Sequence, residues 1–378
     1  MVVDDSTICR GMFIRWIESI RNVKVVASAI NGVAALRMAK KHDLDLIILD
    51  IEMPDMDGLT ALPHLLEICP NALVFIASSL TERNAAISME ALRRGATDYI
   101  LKPDARLGSS VEFREEFVKK TSELIEQTTK KRKTVSFKDR DQTPKPTAHE
   151  PHNFELRTNF EDERRKPRDK PLEEQKAYPL RKASTALPAI LAIGSSTGGP
   201  QALFKLFRRL RRPFPVPILL TQHMPQTFTA ILANHIHTQT GIKAHEAIEG
   251  EALQPGITYV APGGMHMIVE GTIDKPFIAL VDSPQENFCK PAVDPLYRSI
   301  ASIYNERALC IVLTGMGQDG MLGAKEVAKN GGTILAQDEV SSVVWGMPGA
   351  IANAGLASAL LEPEALGDKI NELTASIV

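Results

Sequence analysis

The sequence lacks the features that would assign it to several specialised classes of protein. Its four cysteines are scattered, and their spacing fits no metal site. No apolar run approaches the length that a bilayer requires, and no signal peptide is present. A net charge of −2 predicts no particular polyanionic partner. We therefore expect a cytoplasmic protein with reduced thiols and without direct membrane insertion.

Strand-like and helix-like stretches alternate in both halves of the 378 residues, a length that suits two domains. Helical spacing runs from Ile8 to Ile20 and from Val33 to Lys41. The predicted strands of the first half are Val2–Val3, Val23–Ala27, Leu46–Leu49, Leu73–Ala77 and Asp98–Leu101. Regular alternation of this kind predicts an α/β fold with a doubly wound parallel sheet in each domain.

Polar side chains follow the predicted strands of the first half. Asp4 and Asp5 follow the first strand, Asp50 the third, Ser78 the fourth and Lys102 the fifth. Because the carboxyl ends of parallel strands meet at one edge of a sheet, these groups should lie together. Three carboxylates repel one another unless a cation joins them, and their oxygens suit Mg²⁺. A single polar strand end would be uninformative, but five at one edge indicate a site.

These residues carry a resemblance to a known family. Val2-Val3-Asp4-Asp5-Ser6, Leu49-Asp50-Ile51-Glu52-Met53-Pro54, Ser78-Ser79 and Lys102-Pro103 resemble a two-component receiver domain, which has a flavodoxin-like fold. The first strand is shorter here than is usual in that family. We assign residues 1–128 to the receiver, closed by a helix between Ser109 and Thr128.

The resemblance implies a role for each polar strand end. Asp50 would accept a phosphoryl group from a sensor histidine kinase, and Asp4 and Asp5 would help it to hold Mg²⁺. Ser78 and Lys102 would sense the new phosphate, and Tyr99 lies where the family has its switch aromatic. An aspartyl phosphate adds charge and acceptor oxygens, which can repack the face beyond Tyr99.

Residues 129–186 differ in composition from both flanking regions. Charged residues and prolines are frequent there and apolar residues are few, so the segment cannot bury enough surface to offset its ordering entropy. A basic cluster, Lys130-Lys131-Arg132-Lys133, leaves a nucleic-acid-binding arm as an alternative. Acidic residues are interspersed and aromatics are sparse, which favours a flexible linker and no nucleic-acid partner.

The second domain, residues 187–378, begins with an apolar run that ends at a Gly/Ser turn. Ala189 to Ile193 reads as a buried strand, and an amphipathic helix begins near Pro200. The turn fits the G-x-S-x-G spacing, which places the Ser196 hydroxyl near free amides at a helix N-terminus. Two interpretations stay open on this motif alone: a nucleophile, or a loop that caps a helix or holds a phosphate.

Two further polar groups follow predicted parallel strands of the second domain. His223 follows Pro217–Thr221, and Asp319 follows Ala308–Leu313. A nucleophile, a base and an orienting carboxylate that meet at one sheet edge are the components of a hydrolytic triad. Each residue also has an ordinary explanation, a structural histidine and a turn aspartate, so their joint placement carries the hypothesis. Further strands are expected at Ile257–Ala261 and Thr333–Ala336, with a hairpin from Met267–Val269 and Phe277–Val281.

These segments also resemble a family. The motifs are Gly194-Ser195-Ser196-Thr197-Gly198-Gly199, Gln222-His223-Met224-Pro225, Tyr259-Val260-Ala261-Pro262-Gly263-Gly264, Leu313-Thr314-Gly315-Met316-Gly317-Gln318-Asp319-Gly320 and Gly346-Met347-Pro348. They are similar to the catalytic domain of chemotaxis protein-glutamate methylesterases, which is Rossmann-like. The resemblance implies Ser196 as nucleophile, His223 as general base, Asp319 as its partner, and Thr197 and Met316 as lining residues.

Taken together, the resemblances imply a phosphorylation-regulated serine hydrolase. Its substrates would be glutamyl methyl esters, and also glutamines, on methyl-accepting chemotaxis receptors, with Mg²⁺ needed at the receiver and no metal at the esterase step. Backbone amides of Ser196 and Thr197 would hold the oxyanion. A phosphorylation switch whose effector only binds a protein, and a nucleic-acid-binding response regulator, are the alternatives.

One position departs from the methylesterase pattern. Cys289 stands where family members commonly carry a histidine, in the segment Asn287-Phe288-Cys289-Lys290-Pro291. With no matched histidine expected nearby, Cys289 is interpreted as a packing or loop thiol.

Overall fold

The first domain is a parallel sheet with helices between its strands, as the alternation predicts. The computed structural model describes residues 1–79, 81–102, 114–115, 117–126 and 178–377. The strands are β1 (Val2–Val3), β2 (Ser28–Ala29), β3 (Leu46–Asp50), β4 (Leu73–Ser78) and β5 (Asp98–Leu101). The helices are α1 (Thr7–Glu18), α2 (Gly32–Ala39), α3 (Gly58–Ile68), α4 (Glu82–Arg93) and α5 (residues 117–126). The strand order β2-β1-β3-β4-β5 is that of a flavodoxin-like doubly wound sheet.

The second strand lies further along the chain than the predicted Val23–Ala27. Strand β1 has two residues for pairing, and its register with β2 is Val2 to Ser28 and Val3 to Ala29. Residues before Ala27 therefore have no backbone of β1 beside them and form no ladder. The predicted position of the paired strand was wrong; Val23, Val25 and Ala27 are half-buried and Val26 is exposed.

Side-chain caps begin the first four helices. Ser6, Asn31, Asp57 and Thr81 each accept a hydrogen bond from an amide in the first turn of α1, α2, α3 and α4. These first-turn amides have no carbonyl partner within the helix, so a short polar side chain at the cap satisfies one of them. Each cap therefore satisfies a donor at the point where the chain turns from a strand or loop into a helix.

The second domain contains a larger parallel sheet. Its strands are β6 (Ile190–Ser195), β7 (Ile218–Gln222), β8 (Lys243–Glu246), β9 (Ile257–Val260), β12 (Ala308–Val312), β13 (Thr333–Gln337) and β14 (Ala359–Leu361). Their order is β14-β13-β12-β6-β7-β9-β8, and every neighbouring pair is parallel. The antiparallel hairpin β10 (His266–Thr272) and β11 (Lys275–Val281) confirms the predicted hairpin.

Helices lie on both faces of this sheet. They are α6 (Gly199–Arg209), α7 (Gln226–Thr240), α8 (Val293–Tyr304), α9 (Met321–Lys329), α10 (Met347–Asn353) and α11 (Pro363–Leu373), with a 3₁₀ turn at Asn305–Arg307. The edge strands β8 and β14 were not predicted. Strand β8 reads Lys-Ala-His-Glu and β14 has three residues, so neither carries the apolar run that marks a central strand.

The central strand β6 is buried on both faces, as its unbroken apolar run predicts. Leu191 and Ile193 belong to the cluster that contains Leu203 and Phe207 of α6. Ile190 and Ala192 belong to the opposite cluster, which contains Tyr297 of α8. Alternate residues of a strand point to opposite faces, so β6 contributes side chains to the core on each face of the sheet.

The two domains contact each other through the receiver's α4 side. Helix α4 packs against α6 and α7, and the Gln201 side-chain amide donates to the carbonyl oxygen of Ala96. Met316, Val343 and Val344 of the second domain belong to one hydrophobic cluster with Phe117 and Leu124 of α5. The receiver therefore lies against the edge of the second sheet at which its parallel strands end.

Most of the predicted linker lies outside the described residues. Its last part, from Tyr178, contacts the second domain. The Arg181 guanidinium donates to the carbonyl oxygens of Gly332 and Ala328, and the Ser184 amide donates to Thr333 Oγ1. Within the described residues no helix is long and apolar enough to cross a membrane.

We predict that Gly263→Ala lowers the free energy of unfolding of the second domain by about 1–3 kcal/mol, the usual cost of an added group in a packed site. A Cβ at this position would lie 2.1 Å from the amide nitrogen of Gln226, and backbone cannot yield as a flexible side chain does. Urea unfolding would measure the change. The control is Gly264→Asn, because the neighbouring glycine has open space and a φ of +87° that asparagine tolerates. An equal loss in both variants would contradict the packing explanation.

Candidate functional sites: a receiver acidic cluster and a histidine–aspartate edge

The predicted carboxylates of the receiver come together at the carboxyl edge of its sheet. One oxygen from each of Asp4, Asp5 and Asp50 lies within 4.8 Å of the others. The Lys102 ammonium is 2.9 Å from Asp4 Oδ2 and 2.8 Å from Asp50 Oδ2. Lys102 thus holds the two buried carboxylates of the cluster, whereas Asp5 is exposed.

Burial dominates the electrostatics of this cluster. It raises the pKa of Asp50 to about 6, although the hydrogen bond and charge of Lys102 act in the opposite direction. A divalent cation would offset the same desolvation cost, and three carboxylate oxygens form the hard donor set that Mg²⁺ prefers. The residues present therefore fit the metal that the receiver resemblance implies. Asp4, Asp5 and Asp50 would hold it, and it would supply neutralising charge beside the phosphoryl acceptor.

The other two predicted receiver residues face different neighbours. The Ser78 hydroxyl is buried at the end of β4 and lies 3.3 Å from the Asn84 carbonyl oxygen. The Tyr99 ring stacks on Phe228 of α7, with centroids 4.4 Å apart and planes at 11°. Tyr99 therefore connects the receiver directly to the helix that follows His223 in the second domain.

In the second domain, the site is built around the carboxylate of Asp319. This side chain is 1% exposed. Its Oδ2 accepts from the Val293 amide at 2.6 Å, and its Oδ1 accepts from the Asp294 amide at 3.1 Å and the Gly320 amide at 2.9 Å. The first two amides begin α8, where backbone donors have no helical partner and the dipole favours negative charge. Burial alone would raise the pKa of Asp319, but the hydrogen bond and charge of His223, together with these amides, lower it.

His223 lies between Asp319 and a thiol. Its Nε2 is 2.7 Å from Asp319 Oδ2, and its Nδ1 is 3.2 Å from Cys289 Sγ. Burial favours a neutral ring, but Cys289 and Asp319 outweigh it and raise the pKa of His223 to about 10. The predicted histidine–aspartate pair is therefore formed, and only Nδ1 is left to exchange a proton with another group.

Ser196 stands on the predicted turn at the carboxyl end of β6. The turn is held by a left-handed Gly198 with a φ of +74°, at which a Cβ would lie 2.6 Å from Val343. The Ser196 amide donates to the carbonyl oxygen of Thr314 at 3.1 Å. In the described part of the chain, no hydrogen bond joins the Ser196 hydroxyl to His223 in this structure. Of the amides expected to hold an oxyanion, that of Ser196 is therefore bonded to a carbonyl oxygen in this structure.

Of the two lining residues that the methylesterase resemblance implied, Thr197 belongs to this turn and Met316 follows Gly315, where a Cβ would lie 2.8 Å from Ser196 Cβ. Thr197 is buried, and its carbonyl oxygen accepts from Thr314 Oγ1 at 3.0 Å. Met316 is half-buried and packs into the cluster shared with α5 of the receiver. Met316 therefore lies beside the domain contact as well as beside the turn.

Two positioning residues were not identified from the sequence. Gln222 accepts from Ser195 Oγ at 2.6 Å and donates to the Ser196 carbonyl oxygen at 2.9 Å, so it ties the serine turn to the histidine strand. Asn287 donates to Asp319 Oδ1 at 3.0 Å and to Asp294 Oδ2 at 2.9 Å. Asn287 has a φ of +53°, and the residue type is the local signal in the sequence, since asparagine tolerates left-handed backbone. Neither contact follows from sequence spacing.

The interpretation of Cys289 as a thiol with no histidine nearby is wrong. His223 and Cys289 are far apart in sequence, but their side chains are in hydrogen-bond contact. The loop that carries Cys289 is brought back over β7 by two consecutive left-handed residues, Asn287 and Phe288. This return depends on the fold of the loop, which the sequence motif alone did not reveal.

Comparisons with known proteins agree with this two-domain arrangement. Residues 1–111 match the response regulator receiver domain family, and residues 191–370 match the CheB methylesterase family. A protein-glutamate methylesterase/protein-glutamine glutaminase of Azospirillum brasilense is 44% identical over 381 residues, covering 99% of this chain and 92% of that protein. A similarly named protein of Rhodospirillum rubrum is 45% identical over 369 residues, covering 96% of this chain and 91% of that protein.

Among solved structures, the CheB methylesterase catalytic domain of Thermotoga maritima is 39% identical. The match covers 49% of this chain and 98% of the Thermotoga maritima chain, with a TM-score of 0.48. The fold and matched domains define a response regulator in which a receiver precedes a methylesterase-type effector. By its identity to full-length relatives, the chain belongs to the family of protein-glutamate methylesterases/protein-glutamine glutaminases.

We predict that Asn287→Gly destabilises the second domain by about 1–2 kcal/mol at pH 7, because buried carboxylates lose a shared donor. Burial already raises the pKa of Asp294, and Asn287 opposes that rise. Without the Asn287 side chain, the folded-state pKa values of Asp294 and Asp319 both move upward. Keeping these carboxylates ionised then lowers the free energy of unfolding further. The loss should therefore be larger at pH 7 than at pH 4, where Asp294, whose pKa is raised, takes up a proton, while Asp319, whose pKa is lowered, stays ionised.

Urea unfolding at the two pH values measures this difference. The matched control is Asn22→Gly, which also replaces a left-handed asparagine, with a φ of +63°, away from the carboxylates. Its effect should be independent of pH. A pH-independent loss in Asn287→Gly would show that the carboxylate contacts contribute nothing.

Proposed function

We propose that this chain hydrolyses glutamyl methyl esters on methyl-accepting chemotaxis receptors and deamidates glutamine side chains at the same site. Membership of the methylesterase/glutaminase family supports the reaction class. The observation that carries the residue assignment is the bond from His223 to the buried Asp319 at the sheet edge that also bears Ser196. An ester and a primary amide place a carbonyl between the same groups and differ only in the leaving group.

In the proposed mechanism, Ser196 is the nucleophile and His223 the general base. Asp319 engages Nε2, so the serine proton passes to Nδ1. The hydroxyl of Ser196 must therefore take the position beside Nδ1 that the Cys289 thiol holds in this structure. Because Cys289 contributes to the raised pKa of His223, moving the thiol away lowers that pKa towards the range of a working base.

The remaining steps follow the logic of acyl transfer. Ser196 Oγ bonds to the γ-carbonyl carbon, and the carbonyl oxygen becomes an oxyanion. The Thr197 amide has no hydrogen-bond partner in the described part of the chain, and we assign it as an oxyanion donor in place of the bonded Ser196 amide. His223 then protonates methoxide or ammonia as it leaves. Water, activated by His223, releases the glutamate and restores Ser196.

The receiver regulates this site by covering it. Tyr99 stacks on Phe228, and Lys119 Nζ of α5 lies 5.3 Å from the ring centroid of Phe288 on the Cys289 loop. Phosphorylation of Asp50 by a sensor histidine kinase, with Mg²⁺ at Asp4, Asp5 and Asp50, would draw Lys102 and Ser78 towards the phosphate. Repacking behind Tyr99 would then weaken the contact and open the site in the cytoplasm to receptor helices.

We expect Ser196→Ala to lower methanol release from methylated receptor by about 10³-fold or more, the usual consequence of removing a nucleophile. Ser195→Ala is the matched control, since it removes a neighbouring hydroxyl whose hydrogen bond, among the described residues, goes to Gln222. It should cost about tenfold or less, comparable with one misplaced positioning bond. A folded Ser196→Ala variant with near wild-type release would refute the nucleophile assignment.

We expect Asp50→Asn to abolish stimulation of methanol release by a small phosphodonor and Mg²⁺, while the unstimulated rate persists. The control is Asp55→Asn, which changes an exposed carboxylate on the same loop, outside the cluster. Asp55 is left-handed, with a φ of +63°, and asparagine tolerates that backbone. Stimulation that survives in Asp50→Asn would exclude this residue as the phosphoryl acceptor.

A further inference from the structure

Cys289 is not an isolated thiol in this structure. Its sulfur lies 3.2 Å from Nδ1 of His223, and Asp319 holds the opposite nitrogen of the same ring at 2.7 Å. This is the arrangement of an activated cysteine: a thiol, an imidazole to accept its proton, and a carboxylate to stabilise the imidazolium. The proposed esterase mechanism uses the histidine and the aspartate, but it requires the thiol only to move aside and assigns no chemistry to the sulfur.

The other three cysteines have no such environment. Cys69 and Cys310 are buried, and burial raises the pKa of each thiol. Cys9 is half-buried, as Cys289 is, but no imidazole lies within hydrogen-bond distance of its sulfur in the described part of the chain. Cys9 therefore provides a comparison at similar exposure without a base.

We propose that Cys289 is a peroxide-reactive site whose oxidation switches off the hydrolase centre. His223 Nδ1 takes the thiol proton and leaves a thiolate. The thiolate attacks one oxygen of a hydroperoxide, the O–O bond breaks, and the leaving hydroxide or alkoxide takes up a proton. Sulfur is oxidised to a sulfenic acid, and the peroxide is reduced: hydrogen peroxide leaves as water, whereas an alkyl hydroperoxide leaves as its alcohol.

Oxidation affects catalysis because of where the sulfur lies. The new S–OH group adds a donor and an acceptor beside Nδ1, the nitrogen that the Ser196 proton must reach. The enlarged group keeps His223 engaged and blocks the exchange between Cys289 and Ser196. A thiol reductant removes the oxygen as water and restores the thiol, so the loss is reversible.

The other charged groups around the Cys289–His223 pair are already paired with partners of their own. Lys290 is paired with Asp282, and Glu286 is paired with Arg298 at 2.6 Å. Lys119 lies near the ring of Phe288, and Asp294 is bonded to Asn287. These groups already have partners, so His223 and Asp319 are the charged groups that act directly on the sulfur.

The test uses the full chain, dilute hydrogen peroxide and a sulfenic-acid-trapping dione, with adducts assigned by mass spectrometry at each cysteine. At pH 7, trapping at Cys289 should be at least tenfold faster than at Cys9. It should fall to the rate of Cys9 in His223→Gln, which keeps a polar side chain but removes the base. Equal rates at the two cysteines, or an unchanged rate in His223→Gln, would overturn the proposal.

A second readout rests on the proposed hydrolase function. Peroxide should lower methanol release at least tenfold in wild type and in Cys9→Ser, and a thiol reductant should restore it. Cys289→Ser should keep its own untreated rate after peroxide. If no variant releases methanol but trapping still favours Cys289, the hydrolase function fails and the reactive thiol stands. If methanol release is normal and trapping does not favour Cys289, the hydrolase function stands and the peroxide-reactive thiol fails.

Discussion

The second domain depends on the burial of one carboxylate at the start of a helix. Asp319 is almost fully buried, and removing a carboxylate from water is costly unless fixed donors replace the water. The amides of Val293, Asp294 and Gly320 and the side chain of Asn287 supply those donors. The carboxylate also bonds Nε2 of His223 through its Oδ2 atom. Orientation of the histidine is thus a consequence of how α8 begins.

The neighbouring strands transmit that geometry to the serine turn. Parallel strands β6 and β7 end side by side, and Gln222 bonds the serine turn to the strand that carries the histidine. Gly198 allows the turn to pass close to Val343. The site is therefore held by backbone at three strand ends, with its side chains acting as links between them. In the described part of the chain, this frame bonds His223 to Asp319 but does not bond the Ser196 hydroxyl to His223.

The two domains meet along the carboxyl edge of the second sheet. The receiver contributes α4, Tyr99 and α5, and the second domain contributes Phe228, Met316 and the loop of Phe288. Tyr99 and Lys119 thus contact α7, which follows His223, and the loop that carries Cys289. The proposed phosphorylation switch and the proposed thiol oxidation would both act at this edge of the second sheet.

The amino-acid sequence determined the alternation of strands and helices, because burial on both faces demands unbroken apolar runs and polar strand ends mark where they stop. It also determined that Asp4, Asp50 and Lys102, and His223 and Asp319, would meet, since parallel strand ends share an edge. The register of β2, the edge strands β8 and β14, the bonds of Gln222 and Asn287, and the contact of Cys289 with His223 were decided only by tertiary structure. These features depend on strand length and loop path, which bring together atoms that are far apart in the chain. A local sequence pattern contains no information about which distant residues will come into contact.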